Sequence, residues 1–441
     1  MQDAVDCELR EPDFAEAGSR MYALARELYP ICRSLTGNGV RASLDVMRRH
    51  VDLAVHEVPT GTRVLDWAIP KEWNIRAAHI KDPNGNAVVD FAHSNLHVQS
   101  YSVPVRTTMP LAELRKHLHT LPDQPDHIPY RTSYWAETWG FCLPHRQASA
   151  LADGDYEVMI DSTLADGALT YGEYLHPGAS ADEFLLTAHI CHPSLANDNC
   201  SGLALLALLA QHLKGTRTRL SYRFLFSPGT IGPITWLAHN EAGVGRIKYG
   251  LVVAGVGDGG GPTYKKSRRG DSAVDRAMAH VLGHAFATPK VIDFEPYGYD
   301  ERQFCSPGFD LPVGLLQRSR FGTFPQYHTS ADNLDFISAE HLADSLRAIW
   351  RTIEIAENDF TPLNLSPKGE PQLGRRGLYA TTGGDKDGPA RAMAYLWVLN
   401  QADGSRTLLD IAERSGLPFH VALSAAQALQ KAGLLDNLKP A

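Results

Sequence analysis

From about Glu183 onward, short continuous apolar runs alternate with longer helical ones, and this alternation limits the fold more than any other feature. Phe184-Leu-Leu-Thr-Ala-His-Ile is a strand of the fully buried type. Residues 201–213 make a strongly apolar helix. Strand-type runs follow over 221–226, 249–255 and 311–316, interleaved with helical stretches over 234–241, 271–286 and 339–357. Strands covered on both faces by crossover helices read as unbroken apolar runs. The expectation is an α/β layer structure with a largely parallel or mixed sheet.

Two further regions have other patterns. The start of the chain predicts a helix over 13–29, capped by Asp13 with Glu16 three residues on, and a second helix over 40–50. Residues 51–159 instead hold short β-branched runs at 51–63, 75–90, 102–108 and 156–160, separated by Pro, Gly and Asn. They include the proline-dotted stretch Leu121-Pro-Asp-Gln-Pro-Asp-His-Ile-Pro. This predicts a small, mostly β domain over 51–159 inserted into an α/β domain formed by 1–50 and 160–365. A Pro/Gly-rich linker over 361–386 leads to a helical module at 375–441. Its helices over 407–416 and 418–432 have helix-turn-helix spacing. The second of them carries Ala425, Ala426, Gln427 and Ala428, where a base-reading helix normally offers several polar or cationic side chains. The module reads as a structural or partner-docking winged helix.

Composition narrows the classes. Lys+Arg number 42 against 50 Asp+Glu, a net charge of -8, so the overall field favours neither nucleic acid nor an anionic membrane. No apolar run approaches the roughly 20 residues that span a bilayer. Cys7, Cys32, Cys142, Cys191, Cys200 and Cys305 show no CxxC pairing, which argues against a disulfide framework or a thiolate zinc knuckle. The acidic first residues do not look like a signal peptide. A cytoplasmic protein with no membrane or nucleic-acid partner is expected.

The densest chemistry lies in Thr187-Ala-His-Ile-Cys-His-Pro-Ser-Leu-Ala-Asn-Asp-Asn-Cys-Ser-Gly. It puts His189 and His192 at a strand end and Asp198 just before an apolar helix, and carboxyl ends of strands are where α/β sheets bind ligands. A second group, Gln326-Tyr-His-Thr-Ser-Ala-Asp, brings His328 and Asp332. Imidazoles and carboxylates at separate strand ends are the ligand types of hydrolytic zinc sites. The plainer alternative is a helix cap with two loop histidines. Gly257-Asp-Gly-Gly-Gly-Pro lacks the order of a phosphate loop and reads as a tight turn presenting Asp258.

The segment around His189 and Asp198 resembles the M28-type zinc-dependent exopeptidases. The resemblance implies a three-layer α/β/α domain with a mixed sheet. It makes His189 a zinc ligand, Asp198 the aspartate that bridges two zincs, and His328 a ligand to the second. A looser match makes Asp258 a ligand as well. The whole chain resembles the bacterial DUF4910 proteins, which carry an inserted β domain known as DUF2172 and a C-terminal winged helix. The stretches that carry this are Cys191-His-Pro-Ser-Leu-Ala-Asn-Asp-Asn, Pro228-Gly-Thr-Ile-Gly, Lys266-Ser-Arg-Arg-Gly and Asp300-Glu-Arg-Gln-Phe-Cys-Ser-Pro-Gly. Members often sit with genes for surface-polysaccharide or specialised-metabolite synthesis, so the substrate need not be a peptide.

The chain departs from the superfamily at one place. The usual Glu-Glu pair, a general base and a zinc ligand, is replaced by Gly229-Thr230. His192, Glu301 or Asp300 then become the candidates for proton transfer. The bland alternatives are a hydrogen-bonded loop histidine and a salt bridge to Arg302 or Arg320. Arg268, Arg269, Tyr297 and Arg302 are candidates for substrate contact. The expected function is a zinc-dependent hydrolase, with one or two zinc ions per chain, cleaving an amide bond of a small peptide-like or aminoacyl conjugate. The alternative is a catalytically degenerate binding or scaffold protein on the same fold, and a ligand-sensing transcription regulator is a third reading. A homo-oligomer is expected.

Overall fold

The computed structural model describes residues 9–379 and 388–440. Cys7 and the end of the expected linker, from 380, lie outside the described residues. The chain divides into two units, Met1–Ser272 with Lys290–Arg347, and Ala273–Pro289 with Ala348–Ala441.

In the first unit the apolar runs form one eight-stranded mixed sheet. Its spatial order is Ala54–Pro59, Ala168–His176, Ser221–Ser227, Glu183–His189, Ile247–Val253, Val313–Gln317, Thr263–Lys265 and Lys290–Ile292. The four strands from Ser221–Ser227 to Val313–Gln317 run parallel, and the outer ones bring antiparallel pairs. Every residue of Glu183–His189 is buried, as the unbroken apolar pattern requires. Leu185, Leu225, Val252 and Leu315 pack in one cluster with Ile231, Ile234, Trp236 and Leu237. The helix Gly202–Leu213 buries nearly all its residues, which suits a helix that is apolar all round. Asp13 caps the helix Phe14–Leu28 by accepting the N–H groups of Ala15 and Glu16 at 3.0 Å each.

The inserted region forms its own four-stranded antiparallel sheet, ordered Ala87–Asp90, Glu72–Lys81, Asp155–Ala165 and Val105–Pro110. Ala78, Ile80, Val89, Phe141, Tyr156, Val158 and Ile160 are part of its core. Ala54–Pro59, which the pattern groups with this region, instead pairs with the edge of the main sheet. There Val58 buries beside Leu169 and Tyr171.

In the second unit, the helices Gly388–Gln401, Leu408–Ser415 and Phe419–Lys431 surround a core that includes Val398, Leu408, Ile411, Ala422, Ala426 and Leu429. Thr407 and Asp410 form a capping box, and Gly416 ends the helix in the left-handed conformation. Phe360–Asn364, whose sequence reads as linker, is a strand paired antiparallel with Leu435–Pro440. Among the described residues no helix is long and apolar enough to cross a membrane.

Candidate metal centre

The parallel strands all end on one side, and the candidate site is built from the loops that leave those ends. His189 is the last residue of its strand. The chain then runs to the irregular turn Ala196–Ser201, where the Asp198–Asn199 peptide is cis. Asp332 fixes this turn: its carboxylate accepts the N–H groups of Asn197 at 2.6 Å and Asp198 at 3.0 Å. Burial raises its carboxyl to about 8, against the lowering effect of those bonds.

Asp198 stands between two histidines. Its Oδ1 lies 2.8 Å from His189 Nε2, and its Oδ2 lies 3.0 Å from His328 Nε2. Burial works to raise its carboxyl, yet the charges of His192 and His189 hold it well below the usual carboxylate range. His189 Nε2 and Asp198 Oδ1 are buried and, despite their closeness, have no hydrogen-bond partner. His189, His192 and Asp198 each bring one ligand atom within 4.8 Å of the others, a His/His/Asp cluster capable of coordinating a metal. Two imidazoles and a carboxylate are a zinc-type donor set, three ligands that leave a position open. Asn199 supports the cluster with its amide 3.4 Å from His189 Nδ1 and bonded to Val253 O at 3.0 Å.

His192 is half-buried, and burial drives its imidazole well below its ordinary value. Arg33, fully buried, donates to the His192 carbonyl at 2.9 Å. Aromatic rings wall the cluster. Tyr299 stacks on His189 at 5.1 Å and Tyr327 on His328 at 3.9 Å. Tyr130 packs at 5.1 Å from both His192 and His328.

The other sequence candidates fall into place unequally. Asp258 is not brought into the cluster. Its carboxylate accepts from Asn197 Nδ2, Ser319 N, Ser319 Oγ and Gly260 N, which uses its lone-pair capacity, so it supports the turn that carries Asp198. Glu301 is fully buried in an ion pair with Lys265. Burial raises its carboxyl, while the Lys265 charge opposes the shift. Asp300, also buried, lacks such a cation: Oδ1 accepts the Thr230 N–H at 2.7 Å, and Oδ2 is buried without a hydrogen-bond partner. Burial raises its carboxyl, and His189 and Asp198 are near enough for their charges to act on it. Arg268 and Arg269 are engaged by Asp310 at 2.8 and 3.3 Å. Tyr297 is exposed beneath the Arg302 guanidinium, and Arg302 also reaches Thr230 Oγ1 at 3.3 Å.

The segment Pro228-Gly229-Thr230 explains how Asp300 enters. Gly229 has no side chain, and the space beside its Cα faces Cys191 Sγ, His189 Cβ and Asp300 Oδ1. Thr230 has φ 62 and ψ -69, and Ile231 N–H returns to Gly229 O at 2.8 Å. This is a γ-turn of the rare positive-φ form. Tyr130 and Tyr327 were not singled out by the sequence. The proline-dotted loop before Tyr130 was the available signal, since long structureless loops in compact domains are usually functional.

The sheet order, the strand-end cluster and the inserted β region define an α/β protein with the fold of the zinc aminopeptidases. A zinc aminopeptidase from Bacillus subtilis shares the fold, with a TM-score of 0.57 at 15% identity, over 79% of this chain and 96% of that one. More particularly, the chain belongs to the DUF4910 family: the model of that domain of unknown function matches residues 22–359, and a winged helix-turn-helix model matches 360–437. A Clostridium acetobutylicum protein is 52% identical over 421 residues, covering 96% of this chain and 97% of its own length. Its provisional name is polysaccharide biosynthesis protein with an aminopeptidase-like domain. A crystal structure from the same organism, described provisionally as a peptidase, is 50% identical with a TM-score of 0.92, over 97% of this chain and 98% of that one.

Proposed function

We propose that this chain holds one zinc ion through His189, His192 and Asp198, with His328 on the second oxygen of Asp198. There it binds a small peptide-like or aminoacyl ligand on a peptidase fold that lacks the ordinary two-metal machinery. The observation that carries the metal reading is the cluster itself: His189, His192 and Asp198 each bring one ligand atom within 4.8 Å of the others. Gly229-Thr230, in the place of two carboxylates, and Asp258, spent on four donors, support binding over standard dinuclear hydrolysis. Arg302 and Tyr297 are the side chains placed to meet an anionic group of the ligand, because Asp310 already engages Arg268 and Arg269. The winged helix serves as a docking module for a protein partner or a second copy of the chain.

A second reading, hydrolysis of an amide in the same ligand class, is favoured by His192. In that reading His189, Asp198 and His328 hold the metal, and His192, the third member of the cluster, moves the proton. Zinc, when bound, supplies carbonyl polarisation and acidification of water.

The test is metal content per chain of protein purified without chelator, repeated on His189→Ala and His328→Ala, then aminoacyl amides offered to the loaded protein. One zinc with saturable binding and no turnover is the expected result. Turnover in the parent, lost in His192→Ala while zinc is retained, would establish the hydrolytic reading. A chain that takes up no zinc would overturn both.

A further inference from the structure

The carboxylates around the cluster differ in how they are used. Asp258 accepts four donors, Asp332 two backbone N–H groups, and Glu301 pairs with Lys265. Asp300 keeps one buried oxygen without a hydrogen-bond partner, as do His189 Nε2, Asp198 Oδ1 and both oxygens of Glu301, but Glu301 has the Lys265 ammonium beside it. An unpaired buried oxygen is costly, so such an atom needs a ligand to balance it. The charges ask for the same thing. A dication held by neutral imidazoles and the single carboxylate of Asp198 leaves one positive charge uncompensated inside the protein. Asp300 would cancel it.

We propose that Asp300 supplies the second carboxylate of the metal site through Oδ2, while Oδ1 is anchored on Thr230. This rests on the reading that the cluster holds zinc. Two devices fix its aim. The Thr230 γ-turn directs one N–H at Oδ1. On the other side, Lys265 pairs with Glu301 and donates to the carbonyls of Glu295 and Tyr297 at 3.1 and 2.8 Å, which pins the loop. Gly298, at φ 155, leaves the room that this ion pair occupies.

The wall opposite Asp300 offers an independent check. A Cβ at Gly229 would meet nothing nearer than Cys191 Sγ at 3.4 Å, an ordinary contact. A glutamate there can deliver a carboxylate into the same space once Asp300 is truncated. Zinc affinity is measured by competition with a chromophoric chelator for the parent, Asp300→Asn and the double variant Gly229→Glu with Asp300→Ala. Asp300→Asn should bind zinc at least tenfold more weakly, and the double variant should return to within about threefold of the parent. Should Asp300→Asn fail to fold, Asp300→Ser keeps an acceptor for the Thr230 N–H and carries the same comparison. Parental affinity in Asp300→Asn overturns the assignment, as does a loss that the double variant does not restore. A parent that takes up no zinc fails the cluster reading instead.

Discussion

Tyr130 donates its backbone N–H to the carbonyl of His328 at 2.8 Å, and its ring stands edge-on to the His328 imidazole. The inserted region therefore builds part of the site. The tie is reinforced on both sides: Ser330 N–H reaches Ile128 O at 2.8 Å, and Ile128 N–H reaches Ser330 Oγ at 2.9 Å.

Truncating the ring should separate ligand binding from metal binding. Tyr130→Ala keeps the backbone bond and removes the wall beside His192 and His328. We expect unchanged zinc content and ligand affinity reduced about tenfold, the scale of one lost aromatic contact. Calorimetric titration of the zinc-loaded variant reads it. Unchanged ligand affinity would place the ligand elsewhere.

Asp332 should behave as a structural keystone. Asp332→Asn puts an NH₂ group where one of two backbone N–H groups now finds an oxygen. Leaving a buried donor unmet costs about 1–3 kcal/mol, and the loss should appear in denaturant unfolding. Zinc affinity should fall with it, because the Asp198 backbone is no longer held.

The Lys265–Glu301 pair gives an asymmetric expectation. Lys265→Met leaves a buried carboxylate without its cation and should cost about 3–5 kcal/mol in unfolding free energy. Adding Glu301→Leu should recover much of that loss, since replacing both members with apolar groups is often nearly neutral. If the double variant were as unstable as the single one, the pair would not be the interaction that holds the loop.

The second unit should weaken in acid. His280 is buried, and burial followed by the charges of His284, Arg276 and His420 lowers its pKa to about 4 from 6.5. The neutral form is favoured in the folded state. Its contribution is therefore complete above pH 6.5 and is lost as pH falls toward 4, by at most about 3 kcal/mol. His280→Leu should flatten that part of the stability profile, measured by urea unfolding across the same range.

The sequence pattern reached the central strands because burial on both faces leaves an unbroken apolar signature, as in Glu183–His189. His189 and Asp198 stand out for a related reason: strand ends and helix starts are where such sheets gather ligand-binding side chains. Phe360–Asn364 was hidden because its pairing partner lies some seventy residues later, and pairing rather than composition makes it a strand. Asp258 looked like a ligand while its donors, on Asn197 and Ser319, were remote in the chain. Asp300 and Glu301 are neighbours that sequence treats alike. One meets Thr230 and the other Lys265, and only the folded loop separates their roles.

Thr230 adds a consequence of its own. A β-branched residue at φ 62 is held against its conformational preference, at a cost of order 1–3 kcal/mol. A glycine at this position would relieve that strain and also lose the Arg302 contact on Oγ1. The chain thus keeps a less durable turn in exchange for an aimed one. Selection for heat resistance alone would favour glycine at this corner, giving a tougher turn without the Arg302 contact.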